Sequence, residues 1–167
     1  VRDAQIVERL RTWLHECGME AAIVETAGGV HSPSPSGSSQ ADLLRPLRLP
    51  TILVGSSVLG GISSTRASFE SLRMRGYDID VVLMFTSPYY GNDTYLAQYF
   101  VEHGIPLFTI EKPPARVADT PTDVARMQTY YQHTLTTMVE VVQYLADQHA
   151  RRSVSYTHLT LPTTPYV

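Results

Sequence analysis

The sequence alternates short, predominantly apolar runs with longer stretches of helical periodicity, and this alternation restricts the possible folds strongly. A strand without polar alternation is buried on both faces, which is typical of a parallel sheet covered by helices on each side. The apolar runs predict four strands, at residues 21–24, 51–54, 80–85 and 106–110. The helical periods predict helices at residues 3–17, 59–75, 93–103 and 121–149, and residues 41–48 are predicted to be a short helix or a turn. The sequence therefore predicts an α/β fold with a doubly wound parallel sheet.

The helix predicted over residues 121–149 has an apolar stripe at helical spacing. Such a stripe is typical of a face that packs against a core, and we expect this one to do so. Its members are Val124, Met127, Tyr131, Leu135, Met138, Val142 and Leu145.

Charge and composition disfavour several kinds of partner. The chain has 167 residues, enough for one domain, and its formal net charge of -3 is spread without a basic block. That balance gives no sign of a nucleic-acid or anionic-membrane partner. No apolar run approaches the roughly 20 residues of a membrane-spanning helix. Cys17 is the only cysteine, so no internal disulfide can form.

The last residues differ in character from the rest. Residues 154–167 carry no charge and follow neither a helical nor a strand period. Their sequence resembles a translated sequencing adapter. We therefore predict a domain over residues 1–152 and a non-native tail over residues 153–167, with a disordered polar tail as the alternative.

Glu25 follows the first predicted strand and precedes Gly28 and Gly29. Ligands of doubly wound folds bind outside the carboxyl ends of the strands. A carboxylate at that position suits Mg²⁺, which prefers one or two carboxylates together with phosphate oxygens. The glycines let the backbone approach a ligand and offer N–H groups to an anion. The alternative is a simple turn with a solvated glutamate.

Residues 59–65 place two glycines and three hydroxyl side chains at the start of a predicted helix. The N-terminus of a helix attracts anions through its free N–H groups and its dipole. The alternative needs no ligand, because Ser63, Ser64 or Thr65 can cap the helix with its own hydroxyl.

The lysine content bears on nucleotide binding. A phosphate-binding loop of the Walker type needs Gly-Lys followed by Ser or Thr. The only lysine is Lys112, between Glu111 and Pro113, and the chain contains no such triplet. The chain starts at Val1 and not at Met, so we expect that an N-terminal part is missing.

Several motifs in order resemble one family. Residues 23–33 read Ile-Val-Glu-Thr-Ala-Gly-Gly-Val-His-Ser-Pro and are similar to the Val-Glu-Gly-Ala-Gly-Gly motif of dethiobiotin synthetases. Residues 40–42, 49–54 and 59–65 fit that family in order and spacing. The likeness covers residues 1–152 and is greatest to the synthetase half of the bifunctional fungal and plant enzymes.

The resemblance implies a P-loop NTPase-like sheet, truncated at its N-terminus, with Mg²⁺ and ATP as cofactors. It implies closure of the ureido ring of dethiobiotin from 7,8-diaminononanoate and CO2, through a carbamate that ATP phosphorylates. Without its phosphate-binding loop, the chain is expected to be inactive alone. A homodimer, a fused aminotransferase domain downstream of Arg152, and a mitochondrial or cytoplasmic location also follow as expectations.

The resemblance also implies roles for particular residues. Glu25 matches the Mg²⁺-binding catalytic glutamate, and Gly28 matches a catalytic and substrate-binding backbone position. Gly29, Val30 and Ser63 are the other implied substrate-binding positions. The implied cofactor-binding positions are Thr86, Ser87, Lys112 and Pro113.

Three places depart from the family pattern: Thr26 replaces a glycine, Val58 stands where relatives often carry lysine, and residues 85–87 replace the Asn-Asp pair that reads adenine in bacterial members. Two other functions remain open at this point. One is a related amide synthetase of cobyrinic-acid type, which expects a glutaminase domain downstream. The other is a partitioning-type ATPase switch that acts through partners.

Overall fold

The computed structural model of the chain describes residues 2–19 and 21–157. The elements are α1 (Asp3–Glu16), α2 (Gln40–Leu44), a 3-10 turn (Arg45–Leu47), β1 (Thr51–Gly55), α3 (Gly61–Met74), β2 (Ile79–Phe85), α4 (Asn92–Glu102), β3 (Leu107–Ile110) and α5 (Thr120–Thr157). Among the described residues, no helix is both long and apolar enough to cross a membrane.

The three strands form one parallel sheet in the order β1-β2-β3. Leu83 of β2 pairs with Val54 of β1 on one side and with Phe108 of β3 on the other. Helix α3 connects β1 to β2 and α4 connects β2 to β3, while α5 contacts β2 and β3. Parallel neighbours need such crossovers, so the predicted α/β fold with a parallel sheet is confirmed.

The strand predicted at residues 21–24 is wrong. This segment has no regular secondary structure, and the side chain of Ile23 is 86% exposed. A strand exists only where a neighbour satisfies its N–H and C=O groups. The described sheet ends at β1, and no described strand lies beside residues 21–24. The apolar pattern alone therefore does not make a strand here.

The main core lies between the sheet and helices α3 and α4. Phe100 is completely buried, and its ring meets that of Phe69 edge to face with 5.1 Å between centroids. Edge-to-face pairs stabilise by about 0.5–1.5 kcal/mol beyond the area that they bury. The buried core residues are Ala41, Leu53, Phe69, Leu72, Ile79, Val82, Met84, Leu96, Phe100 and Ile105.

The apolar stripe predicted to be the core face of α5 is largely exposed, which corrects the prediction. Tyr131 and Leu135 are each 59% exposed and Val142 is 61% exposed. The buried side of α5 instead carries Thr134 and Val141. The helix has apolar side chains on two sides, and the side that carries Thr134 and Val141 faces the sheet.

Polar contacts anchor both ends of α5. Near its start, the Asp123 carboxylate accepts a hydrogen bond from the Val117 backbone N–H at 3.0 Å. Near its end, Arg152 pairs with Asp80 at the start of β2. This pair raises the pKa of the Arg152 guanidinium, chiefly through the hydrogen bond to Asp80. The pair therefore ties the C-terminal part of the helix to the sheet.

The predicted tail begins inside α5. The helix ends at Thr157, so residues 153–157 continue it past the predicted boundary at residue 152. Residues 158–167, the rest of the predicted tail, lie outside the described residues. A non-native origin of residues 153–167 stays a prediction.

The serine-rich segment 34–39 is folded onto its surroundings. Ser34 donates to Asp3 of α1 at 3.0 Å, and Ser38 donates to the same carboxylate. Ser36 and Ser38 lower the pKa of Asp3 most strongly. Ser39 caps α2 by accepting a hydrogen bond from the Asp42 N–H at 3.1 Å. These bonds hold the segment against α1 and α2.

Asp42 is expected to make the stability of the fold pH-dependent. The hydrogen bond from Arg75, at 2.9 Å, is the largest cause that lowers the Asp42 pKa from 3.8 to about 2. A carboxylate with a lowered folded-state pKa stabilises above its unfolded pKa and loses this contribution as pH falls through the folded pKa. Asp42→Asn should therefore lower the melting temperature at pH 6 and converge with wild type near pH 2.

Thermal melts between pH 2 and pH 6 measure this effect. Arg75→Ala removes the same interaction from the other side and should reproduce the pH dependence of Asp42→Asn. An equal difference from wild type at every pH would contradict the assignment to Asp42.

Candidate functional site

The carboxyl ends of the three strands meet at one edge of the sheet because all strands are parallel. The Thr86 N–H donates to the Ile110 carbonyl at 2.9 Å, so the segments after β2 and β3 leave the sheet side by side. This pairing places the segment that carries Thr86 and Ser87 beside the segment that carries the exposed residues Lys112 and Pro113. The predicted cofactor-binding residues thus occupy adjacent strand ends.

The turn between β1 and α3 is built closely around Asn92, the first residue of α4. The Asn92 side-chain amide donates to the carbonyls of Ser56 and Val58, at 3.2 and 2.8 Å. The Thr65 hydroxyl accepts a hydrogen bond from the Ser56 N–H at 2.9 Å. Sequence reasoning missed Asn92 in this role, because its partners lie 34 and 36 residues away in the chain.

Two glycines make this turn possible. Gly60 has a φ of +80°, a conformation that L side chains rarely adopt. A Cβ atom on Gly61 would collide with the Ser56 carbonyl oxygen and with the Asn92 amide. The backbone of residues 56–61 can therefore fold back on the helix only with glycine at both positions.

Helix α3 starts without a side-chain cap, which removes the simple capping interpretation of residues 63–65. Gly60 is the N-cap residue and makes no side-chain hydrogen bond. Ser64 donates to the Gly61 carbonyl at 3.2 Å, and Thr65 bonds to Ser56 and not to the helix. Ser63 is exposed beside the uncapped first turn.

A cavity of about 560 Å³ opens at this turn, between the β1–α3 and β2–α4 connections. Leu59, Ile62 and Ala67 give it an apolar part. Ser63, Arg66 and Glu70 add a hydroxyl, a guanidinium and a carboxylate. Its volume falls in the range of small-molecule sites, roughly 300–1,000 Å³, which combine apolar walls with a few polar groups.

Arg66 is held at the cavity wall by aromatic side chains. Its guanidinium carbon lies 4.5 Å from the centre of the Tyr99 ring, and Nη1 donates to the Tyr95 hydroxyl at 3.3 Å. A hydrogen bond with Tyr99 is the first cause of its raised pKa. The ion pair with Glu70 is long, at 3.8 Å between Nη2 and Oε1. The helical spacing of Ser63, Arg66 and Glu70 was the sequence signal for this shared face.

Gly28 and Gly29 form a tight turn before the serine-rich segment. Gly28 has a φ of +129°, and a Cβ atom there would lie 2.5 Å from the Ser32 hydroxyl oxygen. The Gly29 carbonyl accepts a hydrogen bond from the Ser32 N–H at 2.9 Å. Val30 packs against the core, and its carbonyl accepts from the Ala41 N–H at 3.2 Å. These contacts hold the turn in one conformation, and Val30 attaches it to the core.

Glu25 stands apart from these contacts. It is exposed and makes no hydrogen bond or ion pair with any described residue. Within residues 2–19 and 21–157, no group of three or more His, Cys, Asp or Glu side chains could hold a metal ion. A single free carboxylate fits Mg²⁺ only where phosphate oxygens and water complete the coordination.

Comparison with known proteins bears directly on this arrangement. A family model described as an AAA domain matches residues 4–110, which include the Gly28 turn, the β1–α3 turn and all three strands. The chain belongs to this AAA-domain family.

Curated relatives narrow the likeness within the AAA-domain family. The chain is 56% identical over 107 residues to the bifunctional dethiobiotin synthetase/adenosylmethionine-8-amino-7-oxononanoate aminotransferase of Emericella nidulans. That match covers 64% of this chain and 14% of the fungal protein. The resemblance to dethiobiotin synthetases is therefore confirmed, and the matched part is a small share of this relative.

Two further relatives differ in how much of this chain their alignment covers. The mitochondrial bifunctional dethiobiotin synthetase/7,8-diamino-pelargonic acid aminotransferase of Oryza sativa is 40% identical over 126 residues, 74% of this chain and 15% of its own length. The ATP-dependent dethiobiotin synthetase of Phenylobacterium zucineum is 41% identical over 75 residues, 45% of this chain and 32% of its own length.

Proposed function

We infer that this chain is part of an ATP- and Mg²⁺-dependent dethiobiotin synthetase, which closes the ureido ring of dethiobiotin from 7,8-diaminononanoate and CO2 in biotin biosynthesis. The observation that carries this inference is the 56% identity to the fungal synthetase over 107 residues. The glycine turns and the cavity at the carboxyl edge of the sheet support it, because ligands of this fold class bind at that edge.

In this proposal, the residues of the chain bind and orient. Glu25 supplies the protein carboxylate for Mg²⁺, and its free, exposed position suits an ion that is shared with phosphate. When bound, Mg²⁺ and ATP supply an electrophilic phosphoryl group and neutralise its charge. Gly28 and Gly29 present backbone groups next to the substrate. A side chain at Gly28 would collide with Ser32 and disrupt the turn.

The cavity beside α3 suits a chain-like substrate with polar ends. Ser63 and the uncapped first turn of α3 offer hydrogen-bond donors, while Leu59 and Ile62 offer apolar surface. Thr86, Ser87, Lys112 and Pro113 lie on neighbouring strand ends, where they would contact the nucleotide. A homodimer, fusion to an aminotransferase, and a mitochondrial or cytoplasmic location belong to the same proposal. The name of the rice relative supports the mitochondrial alternative.

The chain by itself is expected not to turn over ATP. Catalysis of phosphoryl transfer depends on positioning and on charge neutralisation around the phosphates. The Walker loop supplies both through backbone N–H groups and a lysine. The only lysine of this chain is Lys112, on the segment after β3. Its backbone neighbours Pro113 and Pro114 cannot form a glycine-rich cradle.

Ring closure from labelled bicarbonate tests the proposal. The chain alone is compared with a longer protein in which the N-terminal part of the Emericella nidulans synthetase precedes it. Labelled dethiobiotin should form only with the longer protein, and only with ATP, Mg²⁺ and the diamine present. Turnover by the chain alone would contradict its inactivity, and a folded but inactive longer protein would contradict the proposed function.

A further inference from the structure

The Asn92 side chain stabilises a turn outside its own helix. Asn92 is the first residue of α4 and is only 7% exposed. An asparagine beside a helix start commonly caps that helix, but α4 has Gly91 at its N-cap and no side-chain cap. The Asn92 amide nitrogen instead donates to the carbonyls of Ser56 and Val58 in the β1–α3 turn. Helix α4 thus starts without a side-chain cap, while a suitable side chain beside it serves another element.

The chemistry of these partners requires an amide nitrogen at position 92. Carbonyl oxygens only accept hydrogen bonds, and an amide NH2 group supplies two donors from one atom. A carboxylate of the same shape has only acceptor oxygens, so it would face both carbonyls without a donor. Removing one partner and leaving the other unsatisfied destabilises more than the bond itself stabilised. Position 92 is therefore sensitive to an exchange of NH2 for oxygen that leaves the shape of the side chain unchanged.

The β1–α3 turn depends on hydrogen bonds more than on side-chain packing. Val58 and Leu59 are 54% and 81% exposed, so they bury little apolar surface. The Ser56 N–H donates to the Thr65 hydroxyl, and the Ser56 carbonyl accepts from Asn92. Side chains from two helices thus satisfy both backbone groups of Ser56. Loss of the Asn92 donors should loosen the turn while the core between the sheet and the helices stays intact.

Gly61 leaves the space that the Asn92 amide occupies. A Cβ atom at position 61 would collide with the Ser56 carbonyl oxygen and would lie 2.6 Å from the Asn92 nitrogen. The Gly61 N–H also donates to the Val58 carbonyl at 2.8 Å, so this carbonyl accepts both from Gly61 and from Asn92. The amide, the glycine and the two carbonyls therefore form one close-packed unit.

The same unit forms part of the cavity wall. Leu59 and Gly60 of the turn line the cavity, and Tyr90 and Asn92 line it from the β2–α4 connection. The Asn92 amide hydrogen-bonds these two connections to each other. The position of Leu59 relative to Tyr90, and with it the width of the cavity, therefore depends on the two Asn92 hydrogen bonds.

We propose that Asn92 is a positioning residue for the ligand of this cavity, because it holds the β1–α3 turn in the conformation that forms the binding wall. The identity of that ligand, 7,8-diaminononanoate, rests on the proposed function. A loose turn must be ordered when the ligand binds, and the entropy lost in ordering it weakens the affinity. Asn92 orders the turn before the ligand arrives. Its loss should therefore weaken binding and leave the chemical step unchanged.

Asn92→Asp tests the role in the turn, with Gln98→Glu as the matched control. Both changes exchange an amide for a carboxylate on α4, and Gln98 is exposed. A negative charge at the start of α4 suits the helix dipole, so Asn92→Asp should not weaken α4 itself. Amide hydrogen exchange of the full 167-residue chain should become roughly tenfold faster or more within residues 56–61 for Asn92→Asp, and change less than about twofold for Gln98→Glu.

The amides of β2 and β3 are the internal reference and should exchange as in wild type. Unchanged exchange within residues 56–61 of the Asn92→Asp variant would overturn the proposal. An equal increase throughout the sheet would overturn it as well, because Asn92 would then support the whole fold and not the turn.

Calorimetric titration of 7,8-diaminononanoate into the longer protein, which carries the N-terminal part of the Emericella nidulans synthetase, tests the effect on the ligand. Asn92→Asp should bind roughly tenfold more weakly or worse, and Gln98→Glu within about twofold of wild type. In the ring-closure assay, the same loss should appear as a higher KM for the diamine, with kcat within about threefold of wild type.

Equal affinities of the two variants would overturn the positioning role, as would a fall in kcat at unchanged KM. A wild-type protein that does not bind the diamine would overturn the ligand that the proposal names. Binding with the expected pattern but without ring closure would support the role of Asn92 and contradict only the proposed function.

Discussion

Replacing Glu25 by alanine in the longer, active protein is expected to lower the rate of ring closure by roughly 10²-fold or more, the scale of losing a principal electrostatic stabiliser. Glu25 is exposed and has no hydrogen bond or ion pair with the described residues, so its removal should cost little stability. The loss should appear in kcat at saturating diamine, because in the proposed role the carboxylate would act on the phosphoryl group and its metal ion.

Glu16→Ala is the matched control, since Glu16 is also exposed and is the last residue of α1. Steady-state rates from labelled bicarbonate are measured for both variants over a range of Mg²⁺ concentrations. Partial recovery of Glu25→Ala at high Mg²⁺ would fit weakened metal binding. A Glu25→Ala enzyme as fast as Glu16→Ala would remove Glu25 from the metal site and leave the simple turn as its explanation.

Phe100→Ala is expected to destabilise the chain by about 3–5 kcal/mol, the range for truncating a large buried aromatic side chain. Phe100 is completely buried and contacts the rings of Phe69 and Tyr99 at 5.1 and 5.2 Å between centroids. Removal leaves a cavity between α3, α4 and the sheet. Because folded domains are stable by only about 5–15 kcal/mol, this one change should remove a large part of the total.

The neighbouring Val101 offers a control on the same helix, because its side chain is 71% exposed. Urea unfolding followed by circular dichroism should give Val101→Ala within about 0.5 kcal/mol of wild type, as for surface changes in general. A loss below about 1 kcal/mol for Phe100→Ala would mean that the aromatic cluster is not the centre of the core.

The sequence indicated candidate site residues only where those residues are neighbours along the chain. Gly28 and Gly29, and the glycines at the start of α3, were recognised because their neighbours in sequence form the same turn. Asn92 and Arg66 were missed, since their contacts join residues far apart in the chain: Asn92 reaches Val58 and Arg66 reaches Tyr95. The roles of Thr86, Ser87, Lys112 and Pro113 stay predictions, although the pairing of β2 with β3 brings their segments together.

Local pattern alone determined three strands and most helices of this protein. A short apolar run such as residues 81–85 is typical of a buried strand, and a helical period repeats every few residues regardless of what surrounds it. The tertiary structure decided the cases that depend on partners. Residues 21–24 are apolar, yet they form no strand because no described neighbour satisfies their backbone groups. Helix α5 has two apolar sides, and only packing against the sheet selects Val141 for the interior and leaves Leu135 exposed. Whether a side chain is buried depends on the surface that packs against it, and a single stretch of sequence describes only one of the two surfaces.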